Sequence, residues 1–319
     1  MVCWGKQVNF LKRTISVRVL VTGKGGQLGW ELEKTAPENI EFIIFDSHKL
    51  DITNQAMVNE TLITHSPDIV INAAAYTAVD KAETDQETAY AVNEKGSEFL
   101  ALACKEINAK LIHISTDFVF DGTKTTPYQT DDVPNPINVY GDSKLQGDLK
   151  ISQILGEQAC IIRTAWVYST HGNNFVKTML RLMAEKEQLG VVYDQVGTPT
   201  WAKGLAEMIW GLVAHLSQPQ QTETPVTSSS SRYHWTDAGV ASWYDFAVAI
   251  QELAIEKGLL DQAIPVRPIP ASAYPTPAKR PSFSVIDKTT AEHASGVETA
   301  HWRKQLSSML DELKLSTDI

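Results

Sequence analysis

A tyrosine and a lysine stand four positions apart in the stretch VYGDSKLQG, residues 139–147. On a helix, Tyr140 and Lys144 would lie one above the other on the same face. A free phenol has a pKa of about 10, and a nearby ammonium favours the phenolate. The pair could therefore exchange a proton with a substrate oxygen near neutral pH. The same spacing also arises by chance, so an ordinary surface pair is the alternative.

Three glycines follow the first apolar run of the chain. The run VRVLVTG leads directly into TGKGGQLG, where Gly23, Gly26 and Gly29 are three positions apart. Glycines allow a tight turn and a close approach to a pyrophosphate, and the amides at the start of the next helix bind anions. The loop lacks the Gly-Lys-Ser/Thr ending of a P-loop. We predict a dinucleotide-binding loop rather than a plain tight turn, with candidate contacts from Gly23, Gly26, Gln27, Leu28 and Gly29.

The second apolar run ends in an acid, Asp46. A carboxylate at that position binds the adenosine ribose hydroxyls and disfavours a 2′-phosphate. His48 and Lys49 follow closely and would favour the phosphate, so the choice between NADPH and NADH stays open. Asp51 is a candidate either for capping the next helix or, with Ile52, for contact near the adenine.

The bulk composition disfavours several kinds of partner. The 319 residues carry a net charge of −10, with a pI of about 5.3, which argues against nucleic acid or anionic membrane as the main partner. The three cysteines are far apart and the eight histidines have no ligand spacing, so neither a disulfide framework nor a metal site is predicted. No apolar run approaches the roughly 18 residues that span a bilayer. We expect a cytoplasmic protein whose residues 1–16 form a loose extension.

Apolar runs alternate with helix-like segments from residue 17 onward. The runs at 17–22, 41–46, 68–75, 110–116 and 159–168 are almost wholly apolar, as parallel strands buried on both faces are. Four predicted helices separate these runs: one near Gln27, one capped by Thr53, a long one over 81–108 and one that contains Tyr140. This order predicts an α/β fold, a Rossmann-type doubly wound parallel sheet.

The second half of the chain predicts a smaller C-terminal α/β substrate-binding domain. We expect the dinucleotide-binding domain to cover 17–168, with about 200–236 returning to it. The substrate-binding domain would then cover about 169–199 and 237–319. Residues 217–231 are of low complexity and are expected to form a surface insertion.

The order of the motifs resembles that of the extended short-chain dehydrogenase/reductases. In that order stand the glycine loop, NAAA at 72–75, a Ser/Thr after the fourth strand and Tyr-x-x-x-Lys. Longer blocks, among them NAAAYTAVDKAE, STDFVFDGT, PINVYGDSKLQGD, GNNFVKTMLRL and DQVGTPT, resemble the dTDP-4-dehydrorhamnose reductase family. The resemblance extends from about residue 17 to 290, and is dense to about residue 201.

The resemblance implies reduction of the 4-keto group of dTDP-4-dehydro-L-rhamnose by NADPH or NADH. Tyr140 would donate the proton, Lys144 would hold the nicotinamide ribose, and Thr116 would bind the substrate carbonyl. Asn93 would support the site. The remaining implied contacts are Ala75, Tyr76 and Thr77 along the cofactor, Asp117, Trp166, Val79 and Asp80 around the sugar, and Asn174 and Arg280 at the nucleotide diphosphate.

Several alternatives stay open at this point. Trp166 could be a core residue and Arg280 a plain surface residue. Other nucleotide-sugar reductases and epimerases share the fold and the Tyr-x-x-x-Lys pair, and a regulatory subunit could keep the fold without catalysis, as the beta subunit of methionine adenosyltransferase does. Some members of the family form dimers with bound magnesium, but no carboxylates for a magnesium site can be located in the sequence.

Overall fold

Residues 17–218 and 231–317 are described by a computed structural model of the chain. The expected N-terminal extension, 1–16, lies outside these residues, and so does the predicted insertion 217–231 apart from its ends. Among the described residues no helix is both long and apolar enough to cross a membrane.

Twelve strands occur along this part of the chain. In chain order they are β1 Val17–Thr22, β2 Ile40–Phe45, β3 Ile69–Asn72, β4 Lys110–Thr116, β5 Ala159–Thr164, β6 Val167–Tyr168, β7 Leu189–Val192, β8 Val196–Gly197, β9 Thr200–Trp201, β10 Ser231–Trp235, β11 Ala241–Ser242 and β12 Val266–Ile269. Six of them form one sheet in the order β10-β5-β4-β3-β1-β2, and every pairing in it is parallel. The three remaining pairs are two-stranded: β11 with β8, β12 with β7, and β6 with β9.

Eleven α-helices connect the strands in this part of the chain. They are α1 Gln27–Lys34, α2 Gln55–His65, α3 Val79–Ala82, α4 Gln86–Tyr90, α5 Ser97–Ile107, α6 Val139–Leu155, α7 Phe175–Glu185, α8 Ala202–Leu216, α9 Trp243–Glu256, α10 Thr289–Ser295 and α11 Trp302–Thr317. The long helix predicted over 81–108 is wrong in detail, because it is divided into α3, α4, a π-helical segment Ala91–Gly96 and α5. The cap predicted at Thr53 is also wrong. Asn54 caps α2 instead, by accepting a hydrogen bond from the Met57 amide.

The central sheet is covered by helices on both faces. Val19 and Val21 of β1 belong to a buried cluster that also contains Leu32 of α1 and Leu205 of α8. Leu20, between them, belongs to the opposite cluster, which is built largely from α2, α5 and α6. Because successive strand residues point to opposite faces, a strand covered on both sides must be apolar throughout. The predicted doubly wound α/β fold is thereby confirmed.

A separate buried cluster lies in the second half of the chain. It contains Met179 of α7, Phe246 of α9 and Leu310 of α11, together with residues around the short strands β7 and β9. The strand predicted over 159–168 is interrupted at Trp166, which has φ +48° and separates β5 from β6. A left-handed residue cannot continue an extended strand, so the chain turns away from the sheet at that point.

Candidate active site

A cavity of about 540 Å³ opens where the carboxyl ends of the central parallel strands meet, the position at which doubly wound sheets bind ligands. Its wall is formed by the glycine loop, the ends of β3, β4 and β5, the start of α6 and the segment after β6. The lining residues are Gly25, Gly26, Gln27, Leu28, Ala73, Ala75, Thr77, Val79, Ile114, Ser115, Thr116, Asp117, Phe118, Tyr140, Lys144, Thr164, Ala165, Trp166, Val167, Gly172, Asn173 and Leu205.

The glycine loop is packed too tightly for side chains at two positions. A Cβ on Gly29 would lie 2.2 Å from the Gly23 carbonyl oxygen. Gly23 itself has φ +84°, and a Cβ there would lie 2.7 Å from the carbonyl of Ala73. A Cβ on Gly25 would meet nothing within 4 Å. Helix α1 starts after Gly26, which has no side chain to cap it, so its first amides remain available for an anion.

The first turn of α6 carries Tyr140 into the cavity. Asn138 begins the helix by accepting a hydrogen bond of 2.7 Å from the Gly141 amide. A Cβ on Gly141 would lie 2.2 Å from the Phe118 carbonyl oxygen, so α6 packs directly on the turn that follows β4. The Tyr140 ring meets the Phe118 ring edge to face, with 5.6 Å between centroids. The cap and this close contact fix Tyr140 beside the end of β4.

The protonation of the Tyr140–Lys144 pair differs from the expectation. Burial raises the pKa of Tyr140 to about 12, against a lowering by a hydrogen bond with the Thr116 hydroxyl. The charges of Asp117 and Asp148 raise this pKa further, so the phenol is shifted away from neutral pH, opposite to the expectation from the Tyr140–Lys144 spacing. Burial lowers the pKa of Lys144 to about 8. Lys144 Nζ donates to the Ile114 carbonyl oxygen at 2.6 Å and lies 3.2 Å from His113 Nε2.

Two polar residues close the end of β4. Thr116 Oγ1 donates to Asp117 Oδ1 at 3.1 Å and accepts from the Phe118 amide at 3.2 Å. Asp117 is almost fully buried, and burial raises its pKa to about 6, against a lowering by the Ser284 and Thr116 hydroxyls. The carboxyl of Asp117 also contributes to the raised pKa of Tyr140. Both residues line the cavity, so a hydroxyl, a carboxyl and a phenol lie around one space.

Trp166 lies on the wall of the cavity and, partly buried, packs against the core cluster of the second half of the chain. Its indole stacks on that of Trp243, with 3.5 Å between centroids and 8° between planes. The backbone of Gly197 also packs closely on Trp166, because a Cβ on Gly197 would lie 2.7 Å from the Trp166 ring. A φ of +48° is unfavourable for a bulky residue, so the surrounding contacts hold Trp166 in place. Sequence reasoning missed Trp243, since nothing in the local pattern connects the two residues.

The segment after β3 is held from behind by Asn93. Asn93 Oδ1 accepts from the Tyr76 amide at 2.9 Å, and Asn93 Nδ2 donates to the Tyr76 carbonyl at 3.1 Å and to Ser143 Oγ at 3.0 Å. Ala75 and Thr77 line the cavity, while the Tyr76 hydroxyl donates to Asp85 at 3.1 Å. Asn93 thus joins this segment to α6.

Other predicted site residues have partners within the protein. Arg280 donates from both terminal nitrogens to Asp80, at 2.9 and 2.7 Å. Asn174 caps α7 and donates to Gln27 Oε1 at 3.0 Å. Gln27 lines the cavity, whereas Asn174, Arg280 and Asp80 do not. Val79, next to Asp80, also lines it.

The residues predicted near the adenosine are outside the cavity lining. Asp46 accepts from the amides of His48 and Lys49, each at 3.0 Å. Asp51 accepts from the Thr53 amide at 2.9 Å and does not cap α2. Ile52 is buried in the core against α5 and its neighbours.

A buried polar group behind Lys144 was not predicted. It comprises His113 and Ser115 of β4, Asp148 of α6 and Arg163 of β5, all with less than 5% of their surface exposed. Asp148 stands four residues after Lys144 and was visible as a possible same-face partner. Within 17–218 and 231–317, no group of three or more His, Cys, Asp or Glu side chains is placed to hold a metal ion.

The parallel sheet, the glycine loop and the Tyr-x-x-x-Lys pair at one cavity define a Rossmann-type fold of the short-chain dehydrogenase/reductase superfamily. More narrowly, the chain belongs to the family described as the RmlD substrate binding domain, whose model matches residues 17–315. The family predicted from the sequence motifs is thereby confirmed.

Individual relatives agree with this assignment. The chain is 39% identical over 294 residues to a dTDP-4-dehydrorhamnose reductase of Aggregatibacter actinomycetemcomitans, covering 92% of this chain and 98% of the relative. A solved dTDP-4-dehydrorhamnose reductase from Clostridium acetobutylicum is 38% identical, with a TM-score of 0.84 over 93% of this chain and 100% of the other. One from Bacillus anthracis, solved in complex with NADP, is 34% identical, with a TM-score of 0.83 over the same shares.

Proposed function

We propose that this protein reduces the 4-keto group of dTDP-4-dehydro-L-rhamnose to give dTDP-L-rhamnose, with NADPH or NADH as the reductant. The observation that carries the proposal is the single cavity lined by Tyr140, Lys144, Thr116 and the glycine loop. The identity of the proposed substrate is inferred from the relatives named dTDP-4-dehydrorhamnose reductase.

The glycine loop fits a dinucleotide cofactor. The close packing of Gly29 on Gly23 brings the start of α1 to the cavity floor, where a pyrophosphate would meet backbone amides. Ala75 and Thr77 would line the path toward the nicotinamide, and Lys144 would bind the ribose hydroxyls. Asp46, with His48 and Lys49 beside it, would lie nearest the adenosine ribose. When bound, the cofactor supplies a hydride to the carbonyl carbon of the substrate.

Tyr140 supplies the proton. Because its pKa is about 12, the phenol is protonated at neutral pH and is a proton donor, as reduction of a ketone requires. The carbonyl carbon gains the hydride and the carbonyl oxygen gains the Tyr140 proton, so the ketone becomes a secondary alcohol and Tyr140 becomes a phenolate. Positioned proton transfer of this kind accelerates reactions by about 10²- to 10⁴-fold.

The remaining cavity residues orient the sugar nucleotide. The Thr116 hydroxyl would bind the carbonyl oxygen, and Asp117 and Val79 would contact the sugar. Trp166, backed by Trp243, offers an aromatic face for it. Asp80, next to Val79, would lie on the sugar side, and Asn174 and Arg280 would act nearer the diphosphate. The separate cluster around α7, α9 and α11 supports the further proposal that 169–199 and 237–319 form the substrate-binding part of the protein.

The test mixes the purified protein with dTDP-4-dehydro-L-rhamnose and either NADPH or NADH, and follows the nicotinamide absorbance. We expect stoichiometric oxidation of one or both cofactors, with dTDP-L-rhamnose identified by chromatography. An epimerase would change the sugar without net oxidation of the cofactor, and a regulatory subunit would do neither. No oxidation with either cofactor contradicts the proposal.

A further inference from the structure

A chain of buried hydrogen-bonding groups lies behind Lys144, on the side away from the cavity. Thr22 Oγ1 donates to Asn72 Oδ1 at 2.7 Å, and Asn72 Nδ2 lies 3.0 Å from His113 Nδ1. His113 Nε2 in turn lies 3.2 Å from Lys144 Nζ. None of the four residues exposes more than 1% of its surface. The line joins the ends of β1, β3 and β4 to helix α6.

One backbone amide indicates which atom donates and which accepts in this series of hydrogen bonds. The Ala74 amide lies 3.2 Å from the side-chain oxygen of Asn72. The same N–H lies 3.3 Å from Thr22 Oγ1, and because an N–H group can only donate, we assign the Asn72 oxygen to this side and its nitrogen to the side of His113. That nitrogen is also a donor, so His113 Nδ1 must accept. Complete burial by itself holds the pKa of His113 well below its usual value, so the ring is neutral and its one proton is on Nε2.

The Nε2–H group of His113 points at Lys144. An ammonium has only donors, whereas a neutral amine has a lone pair that accepts. At 3.2 Å, a protonated Lys144 would face a second donor, while a neutral Lys144 would accept from it. Asp148 Oδ1 lies 3.7 Å from the same Nε2 atom, which is too long for a hydrogen bond. The contact therefore favours the neutral amine.

The other charged groups near Lys144 act in both directions. Asp148 on α6 favours the ammonium, but it also lies 3.7 Å from Arg163 Nε of β5 and accepts from Ser115 Oγ at 2.8 Å. Arg232 of β10 also contributes to the environment of Asp148. Tyr140 and Asp117 line the same cavity as Lys144. The Ile114 carbonyl accepts from either form of the amine.

We propose that His113 is a positioning residue for Lys144: held as the Nε2–H tautomer by Asn72, it donates to Lys144 Nζ and lowers the affinity of this amine for its proton. The consequence for catalysis rests on the function proposed above. An amine that exchanges its proton near neutral pH can restore a proton to Tyr140 after each reduction.

The first test measures the tautomer in the intact protein. Protein labelled with ¹⁵N-histidine is examined by long-range ¹H–¹⁵N correlation, with the His113 signals assigned from their loss in His113→Gln. We expect the pattern of a neutral ring protonated at Nε2. A ring protonated at Nδ1, or a charged ring at neutral pH, overturns the proposal, and the tautomer itself is measured in the unsubstituted protein.

The second test measures the Lys144 amine directly. In protein labelled with ¹³C-lysine, the Lys144 Cε signal, assigned with Lys144→Arg, is followed against pH without substrate or cofactor. The wild-type midpoint is expected at about 8. In His113→Gln the amide oxygen can turn toward the amine, so the midpoint should rise by on the order of one pH unit. His234→Gln removes another fully buried histidine and should leave the Lys144 midpoint unchanged. An unchanged midpoint in His113→Gln overturns the proposal.

The two proposals fail in different experiments. The pH dependence of kcat for His113→Gln should shift in the same direction as the Lys144 midpoint, which a merely structural histidine would not cause. If the NMR measurements on His113 and Lys144 are as expected but no sugar nucleotide is reduced, the proposed reaction is wrong and the tautomer assignment stands. If reduction occurs but the Lys144 midpoint does not respond to His113, the role of His113 is wrong and the reaction stands.

Discussion

Arg280 and Asp80 are 200 positions apart in the chain and form a bidentate ion pair, with nitrogen–oxygen distances of 2.9 and 2.7 Å. Asp80 Oδ1 also accepts from the Ala278 amide at 3.2 Å. The pair ties α3, which follows the cofactor-side segment of β3, to the loop before Ser284, whose hydroxyl bonds Asp117. It therefore joins α3, whose first residue, Val79, lines the cavity, to a loop from the second half of the chain.

If the pair clamps these two segments, breaking it from either side should have the same effect. We expect Arg280→Gln and Asp80→Asn each to raise KM for the sugar nucleotide by up to about fivefold, because a partly exposed ion pair contributes up to about 1 kcal/mol. Steady-state kinetics at saturating cofactor measure this. If Arg280 instead binds the diphosphate directly, only Arg280→Gln will raise KM, since Asp80→Asn releases the guanidinium.

Removing the Tyr140 hydroxyl should greatly slow turnover while leaving the cofactor bound. Tyr140→Phe keeps the ring contact with Phe118 but has no proton to donate, so kcat should fall by about 10²- to 10⁴-fold. Cofactor affinity, measured by nicotinamide fluorescence, should be nearly unchanged. The matched control is Tyr90→Phe, whose hydroxyl donates to Asp142 outside the cavity lining; its kcat should stay close to wild type. Surviving turnover in Tyr140→Phe would mean that another group provides the proton.

The packing of the glycine loop predicts different outcomes for alanine substitutions at Gly29 and Gly25. Gly29→Ala places a methyl group 2.2 Å from the Gly23 carbonyl oxygen, so we expect a loss of about 1–3 kcal/mol in the free energy of unfolding and weaker cofactor binding. Gly25→Ala meets nothing within 4 Å and should change the free energy of unfolding by less than about 0.5 kcal/mol. Urea denaturation measures both values. Equal stability of the two variants would contradict the packing described for α1.

The left-handed backbone at Trp166 reverses the usual order of glycine and alanine. Both Trp166→Gly and Trp166→Ala lose the stack on Trp243, but only alanine keeps the penalty of a φ of +48°. We expect Trp166→Gly to be the more stable of the two by roughly 1 kcal/mol in urea denaturation. Trp243→Ala removes the stack without touching Trp166 and serves as the control. If the alanine variant is as stable as the glycine variant, the residue relaxes out of the left-handed region.

Asp237 should make folding stability fall as pH rises. Its side chain is buried and accepts from the Trp201 amide at 3.0 Å, and burial raises its pKa to about 7 from an ordinary 3.8. Between those values the folded state keeps a proton that the unfolded state has lost, so the Asp237 contribution to stability is present below pH 3.8 and lost as pH rises to about 7.

Replacing that carboxyl by an amide isolates its effect. Asp237→Asn keeps an oxygen for the Trp201 amide and carries no charge. We expect it to be more stable than wild type by on the order of 1–3 kcal/mol at about pH 8, with the difference shrinking toward about pH 4. Urea denaturation of both proteins at the two pH values measures this. A difference independent of pH would mean that the carboxyl ionises freely in the folded state.

The sequence alone determined the sheet, the glycine loop and the Tyr140–Lys144 pair. Strands covered on both faces must be apolar along their whole length, and a helix places residues four apart on one face. Both patterns are local, so they can be recognised without the fold. The same local reasoning failed where a local feature had no distinctive spacing, as at the π-helical segment Ala91–Gly96 and the break at Trp166.

Only the tertiary structure decided which distant groups meet and what their surroundings do to them. Trp243 behind Trp166, Arg280 on Asp80 and His113 beside Lys144 each join residues from separate elements. Burial, reinforced by the carboxyls of Asp117 and Asp148, raised the pKa of Tyr140, whereas its spacing to Lys144 had suggested a lowering. The free energy of a charge depends on how much water and protein surround it in three dimensions, and spacing along the chain does not contain that information.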